Sequence, residues 1–261
     1  EGNDPSTKYP FTSILQDSEG RIWVGTAFGL ARLGKNPQPD QKIVERIFTE
    51  KDGLSQTNVG GLFLSKDQKI WARTSLGICK FLPDSESFQS YTKENGLTEG
   101  GARAMIEDAE GNLWVAQGSG AVKIAHGGFT NFYTLDGLTF QSAAVYENRA
   151  GEIYSLSDHL GAGQETIFRF DKNKFTGFKI SALQNLKNYG WGIHQVAFQD
   201  REGEWWFPTG VGLYRFPKTE KIENLVNLQP KYVYTKKDGL ANDEMVLSFG
   251  CGLDDHMGWI V

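Results

Sequence analysis

Repetition constrains this chain more than any other feature of its sequence. The stretch Asp17 to Leu33, DSEGRIWVGTAFGLARL, joins an acidic turn closed by Gly20, a short apolar run centred on Trp23, a small-residue turn at Gly25 and Thr26, and a second short run. Copies follow at 67–81, 108–124, 149–160 and 200–216, and a last one breaks off at 254–261. Aligned on their central aromatics, Trp23, Trp71, Trp114, Tyr154, Trp206 and Trp259, the copies recur every 40 to 53 residues. A second marker keeps the same register. The leucines of the triplets 52–54, 95–97, 136–138 and 238–240, each [DN]-G-L, stand 16 to 19 residues before the next aromatic. A fixed period of this size means one supersecondary unit per repeat, stacked on its neighbours.

Each unit reads as short strands. In the second, Val59–Ser65, Ile70–Arg73, Ile78–Phe81 and Phe88–Tyr91 are rich in β-favouring residues and are separated by Lys, Asp, Ser and Gly turns. No segment sustains a 3.6-residue apolar period, and the best helical stretch, Ser181 to Asn188, is only a couple of turns long. The run Ile22-Trp23-Val24 is apolar on both faces, whereas a sandwich strand exposes one face. Four-stranded blades stacked around an axis bury both, so the sequence predicts an all-β protein, a β-propeller of antiparallel blades in one domain. With strands lettered A to D from the axis outward, the blades span about 11–48, 59–91, 104–133, 143–180 and 194–234, with an incomplete sixth at 245–261. Five blades and a fraction do not close a ring. The expectation is part of a seven-bladed ring, completed by further blades of the same protein or by a partner.

Composition narrows the function classes. The formal net charge is −5, which gives no attraction to a polyphosphate backbone or an anionic membrane. Nucleic acid and membrane contact by this segment are therefore not expected. No apolar run is long enough to span a bilayer, and the opening EGNDPSTKYP lacks the basic and apolar regions of a signal peptide. Cys79 and Cys251 fall in units that are not neighbours, which argues against a disulfide or a metal site.

The motif D-x-x-G-x-[IL]-W-[VI]-x-T-x-x-G-[LI]-x-[RK] resembles the two-component regulator propeller repeat. Residues 17–32 match it fully and 200–215 nearly so; Gln68 replaces its Gly, Arg73 and Ala116 stand at the Gly25 position, and Tyr154 replaces its Trp. The resemblance implies the extracytoplasmic, periplasmic sensor region of a membrane-anchored hybrid two-component histidine kinase, with oligosaccharides as a common signal and a homodimer as one working form. It implies no catalytic residue and no cofactor in this segment.

A propeller gathers its D-to-A links and B-to-C turns on one edge, around the mouth of the axis, and its A-to-B and C-to-D turns on the other. Ligand contacts are expected on the first edge, where the copies disagree: Asn58, Arg73, Arg103, Gln141, Asp158, His159, Trp191, His194 and Glu244. Trp191 either offers a platform for a sugar face or seals blade 4 against blade 5. The marker aromatics read as filling between blades, and the [DN]-G-L triplets as turns. Streptogramin lyases, propellers with His and Glu at the channel mouth, supply an enzymatic alternative. Of four histidines, His126 and His256 fall on the opposite edge, and only His159 and His194 could meet there, with Glu244 near. Two histidines without a third ligand make neither a metal site nor a catalytic signature. A protein-interaction scaffold is the third alternative.

Overall fold

The computed structural model describes residues 11–35, 43–98, 101–125, 128–138, 142–157, 167–184, 186, 197–240 and 243. Among these, every sheet is four-stranded, antiparallel and wound in chain order. Blade 1 comprises β1 (Phe11–Gln16), β2 (Ile22–Thr26), β3 (Gly29–Leu33) and β4 (Val44–Phe48). Blade 2 follows with β5 (Val59–Leu64), β6 (Ile70–Thr74), β7 (Ile78–Leu82) and β8 (Ser87–Tyr91). In blade 3 these are β9 (Ala102–Glu107), β10 (Leu113–Gln117), β11 (Gly120–Ala125) and β12 (Gly128–Phe132). Blade 4 holds β13 (Ser142–Glu147), β14 (Ile153–Ser157), β15 (Ile167–Asp171) and β16 (Lys174–Phe178). Blade 5 holds β17 (Phe198–Gln199), β18 (Trp205–Thr209), β19 (Gly212–Phe216) and β20 (Tyr232–Tyr234). The all-β propeller architecture expected from the repeat is the one found. Boundaries shift by one to four residues: blade 3 begins two residues earlier than Ala104 and ends at Phe132, blade 4 runs from Ser142 to Phe178, and the first strand of blade 5 starts at Phe198. Of the stretch 181–188, the described residues hold a single 3-10 turn, Ser181–Leu183.

The core is divided between blades. Trp23 and Phe48 of blade 1 share a cluster with Phe81 and Phe88 of blade 2. Trp71 and Ile78 meet Leu113, Val115 and Val122 of blade 3. Trp114 and Phe132 meet Phe168 and Phe175 of blade 4, and Tyr154 meets Trp205, Phe207 and Phe216 of blade 5. Trp23, Trp71, Trp114 and Tyr154 thus face the following blade, while Ile70, Ile153 and Trp205, their counterparts one position earlier in strand B, face the preceding one. This explains an apolar second strand buried on both sides: Trp23 is fully buried and Val24 is 6% exposed.

The acidic turn fixes the aromatic. In blade 1 the Asp17 carboxylate accepts from the backbone N–H of Glu19 and Arg21 and from the Trp23 indole Nε1 at 2.8 Å. Asp108 accepts from Trp114 Nε1 at 2.8 Å, and Asp200 from Trp206 Nε1 at 2.7 Å. Where the aromatic is Tyr154 the acid becomes Asn148, whose side chain and the Tyr154 hydroxyl both donate to Glu152. Burial would raise the Asp17 and Asp108 pKa values. The indole N–H, the backbone N–H groups and, at Asp108, the Asn112 amide outweigh it and hold both below the ordinary carboxylate value.

A carboxylate held low in the fold stabilises it above the unfolded pKa, about 3.9, and loses that contribution as pH falls through the folded value. Urea midpoints are therefore expected to stay level from pH 7 to about 5 and to drop below that. Asp108→Asn should start from a lower midpoint and flatten the drop. An acid slope identical to that of the parent would show that Asp108 is not one of the groups responsible.

The triplets are more than turns. Each closes a one-turn 3-10 helix: Glu50–Asp52, Lys93–Asn95, Thr134–Asp136 and Lys236–Asp238. The Asp or Asn reaches back to accept from the N-cap N–H, as in Thr49 N to Asp52 Oδ2 at 2.9 Å. The Gly that follows sits at φ between 95° and 100°. The Leu is then buried between two blades, as Leu54, Leu97 and Leu138 are. The blade 4 to blade 5 link lacks the triplet, and Leu183 at the end of its own 3-10 turn joins the cluster there instead.

Candidate functional site

The link edge is tied together by its own side chains. Thr26, Thr74 and Thr209 close strand B, and each hydroxyl donates to the carbonyl of the residue three positions on. In blade 2 the link and the turn are joined directly, with Ser55 Oγ and Thr74 Oγ1 2.8 Å apart and Ser75 Oγ donating to Gln56. Links and B-to-C turns therefore share one edge, as the topology requires.

Three of the residues singled out from sequence are described there. Asn58 is exposed on the link that enters blade 2. Arg103 is half-buried at the start of β9. Arg73 is buried: its guanidinium lies over Gly60 and Gly61 and donates to the Ala102 carbonyl of blade 3 at 3.1 Å and to the Gly60 carbonyl. Burial pushes its pKa down to about 10, so it keeps its charge at neutral pH. A Cβ on Gly61 would stand 2.8 Å from Arg73 Nε, which is why a glycine faces this side chain. Arg73 thus links the inner strands of blades 2 and 3. Gln141, Asp158, His159, Trp191, His194 and Glu244 lie outside the described residues, as do His126, His256, Cys251 and the sixth repeat.

Sequence reasoning passed over Gln117. It occupies the strand-B position that is threonine in blades 1, 2 and 5, and it is fully buried. Its Oε1 accepts from the Thr98 N–H at 3.1 Å and from the Thr98 hydroxyl at 2.5 Å, which anchors the link between blades 2 and 3. Its Nε2 has no hydrogen-bond partner among the described residues. An orphaned buried amide donor costs about 1–3 kcal/mol. The break in the [VI]-x-T pattern at 117 was the signal for it.

Among the described residues no group of three His, Cys, Asp or Glu side chains is placed to hold a metal ion, and no helix is long and apolar enough to cross a membrane. The described concavity of note lies on the opposite edge, between blades 3 and 4, with a volume of about 490 Å³.

The chain carries the repeat that its motif resembles: residues 6–28 match the family Two component regulator propeller. No curated protein matches the chain in sequence. Its fold is similar to the extracellular domain of a protein assigned as the hybrid two component system BT3049 from B. thetaiotaomicron. The TM-score is 0.65 at 21% identity, covering 94% of this chain and 32% of that one. It is also similar to virginiamycin B lyase from Staphylococcus aureus, in an inactive variant with quinupristin, with a TM-score of 0.58 at 14% identity over 86% of this chain and 75% of that one. PorZ, a surface component of the type-IX secretion system of Porphyromonas gingivalis, gives a TM-score of 0.54 at 14% identity over 90% and 35%. The chain spans about a third of the length of the B. thetaiotaomicron domain. At these identities the likeness establishes the propeller fold.

Proposed function

We propose that this chain is the ligand-sensing propeller of an extracytoplasmic two-component receptor, non-enzymatic in itself, and that it binds an oligosaccharide at the link edge. The observation that carries the reading is the two-component regulator propeller match at residues 6–28, together with the likeness to an extracellular domain of a hybrid two component system. Support for the edge comes from the departures from the repeat that gather there: Asn58 exposed on the link and Arg103 half-buried at the start of β9. A ligand that bridges links of adjacent blades would bias how those blades meet, and in a full-length receptor that bias becomes the signal.

The reading is tested by calorimetric titration of the full-length receptor with a panel of oligosaccharides. Binding of at least one is expected, weakened tenfold or more by Asn58→Ala or Trp191→Ala. The absence of heat with every oligosaccharide removes the sugar part. The likeness to virginiamycin B lyase supports a second reading, in which His159 and His194 are catalytic. It predicts turnover of quinupristin that His159→Ala abolishes, whereas the sensor reading predicts no turnover.

A further inference from the structure

The marker aromatic of each described blade stands between two cross-strand neighbours. On strand A these are Leu15, Phe63, Ile106, Tyr146 and Phe198 in turn. On strand C they are Arg32, Lys80, Lys123, Arg169 and Arg215. The strand A neighbours of blades 1, 2, 3 and 5 are apolar to the tip. Among the described blades, blade 4 alone brings a hydroxyl into this position, beside a marker that is itself a tyrosine.

That hydroxyl is sealed in. Tyr146 is 6% exposed and stacks on Tyr154 at 5.3 Å, with Trp205 of blade 5 edge-on at 5.9 Å. The polar groups of both neighbouring rings are engaged elsewhere: the Tyr154 hydroxyl donates to Glu152, and the Trp205 indole N–H to the Thr219 carbonyl. Tyr146 Oη has no hydrogen-bond partner among the described residues. Burial first, and then Tyr154, Glu152 and Glu223, push its pKa well above the ordinary tyrosine value, so it stays protonated and able to donate.

Arg169 and Glu223 leave a second pair of atoms open at the same junction. Arg32 and Arg215 each give Nε to a carboxylate, that of Glu45 and that of Glu204. Arg169 instead meets Glu223, from the 3-10 turn Ile222–Leu225 of blade 5, through Nη1 and Oε1. Its Nε and the Oε2 of Glu223 are both buried without a partner among the described residues. Glu152 is no substitute, because its Oε2 is taken by Asn148 and Tyr154 and its Oε1 stands 3.9 Å from Arg169 Nη1.

One donor, one acceptor and one hydroxyl able to be either are thus buried where blade 4 meets blade 5, and each would be costly left dry. An anion would meet the carboxylates of Glu152 and Glu223, and a cation the guanidinium of Arg169, so a neutral molecule fits. A single water answers all three: it accepts from Arg169 Nε, donates to Glu223 Oε2 and bonds Tyr146 Oη, the roughly three bonds usual for a buried water. We propose that the junction of blades 4 and 5 holds a structural water bound by Tyr146, Arg169 and Glu223, which ties the inner strand of blade 4 to the 3-10 turn of blade 5. It supplies a polar tie at the junction whose link lacks the [DN]-G-L triplet. The inference stands independently of the oligosaccharide reading.

Tyr146→Phe, which copies Phe63 and Phe198, is the first test. With the hydroxyl bound to water, its removal lowers the urea midpoint of the whole chain. A hydroxyl that lies dry gives a midpoint that is level or raised, and that result would overturn the proposal. The second test is a double-mutant cycle of Tyr146→Phe with Glu223→Gln. The two side chains share no direct hydrogen bond, so the water is expected to couple them by a factor of about three or more in the folding equilibrium, and additive effects would overturn it. A crystal structure of the chain should show a solvent atom within hydrogen-bond reach of Tyr146 Oη, Arg169 Nε and Glu223 Oε2. Density with Nε bonded directly to Oε2, and no solvent atom at the hydroxyl, would sink the proposal whatever the midpoints.

Discussion

Replacing Trp114 with alanine should lower the stability of the chain by about 3–5 kcal/mol, the range for a large aromatic removed from a core. The indole is 1% exposed and stacks on Phe132 at 5.6 Å. It meets Phe170 of the next blade edge-on at 4.8 Å. A side chain of this kind buries about 150–250 Å², or roughly 4–6 kcal/mol at about 25 cal/mol per Å², an upper bound because the unfolded chain is partly compact. Truncation also strips Asp108 of its indole donor and Lys123 of the ring 5.4 Å from its ammonium. The loss is large against the roughly 5–15 kcal/mol that holds a typical domain together. Trp206→Ala is the internal comparison, because Trp206 keeps the same bond to Asp200 but is only half-buried. Its cost should be smaller, and the urea midpoints of the two variants give the difference. A loss below about 1 kcal/mol at Trp114 would sink the view that the marker aromatic joins the blades.

The fold was legible because a repeat states its packing rule several times. Trp23, Trp114 and Tyr154 are all within one percent of complete burial, and each faces the next blade, so one copy predicts the others. The Asp to Trp hydrogen bond was legible too, once the constant six-residue separation of Asp17 from Trp23 and of Asp108 from Trp114 is read as a contact. The site was harder, because function resides in departures from the rule and sequence does not say which departures face solvent. Arg73 broke the pattern and looked like a ligand contact, yet it spends its donors on the Ala102 and Gly60 carbonyls. Gln117 broke it less conspicuously and leaves a buried donor unpaired among the described residues. The cleft between blades 3 and 4 depends on a hairpin shortened by two residues, which becomes visible only when Phe170 and Phe81 are superposed in register. The 3-10 turns were missed because one turn of helix has no periodicity to detect. Their capping pattern, Thr49 to Asp52 and Thr235 to Asp238, was nevertheless present in the sequence.

Those turns give the second large effect. Gly96→Ala and Gly137→Ala are the same substitution at the same place in two copies of the link, and they should differ in cost. Both glycines sit in the left-handed region, at φ 100° and 95°, where a Cβ costs about 1–2 kcal/mol. At Gly96 nothing lies within 4 Å of the added carbon, so that cost is all the variant should show. At Gly137 the carbon would collide with the backbone carbonyl of Phe175, on the outer strand of blade 4. Backbone cannot swing aside as a side chain can. Either the link lifts, drawing Leu138 from its place in the cluster of Trp114 and Phe175, or the outer strand of blade 4 moves away. Forced shifts of this kind add about 1–3 kcal/mol, for a total of roughly 2–5 kcal/mol. Gly53, pressed against the Phe88 carbonyl, should behave like Gly137. Equal midpoints for the Gly96 and Gly137 variants would mean that the links are compliant enough to take a side chain anywhere. Blade spacing would then be set by the aromatic clusters alone. A gap of 1 kcal/mol or more would mean that each link also gauges how closely the next blade can approach, which would make the links the elements through which a ligand on that edge could alter blade packing.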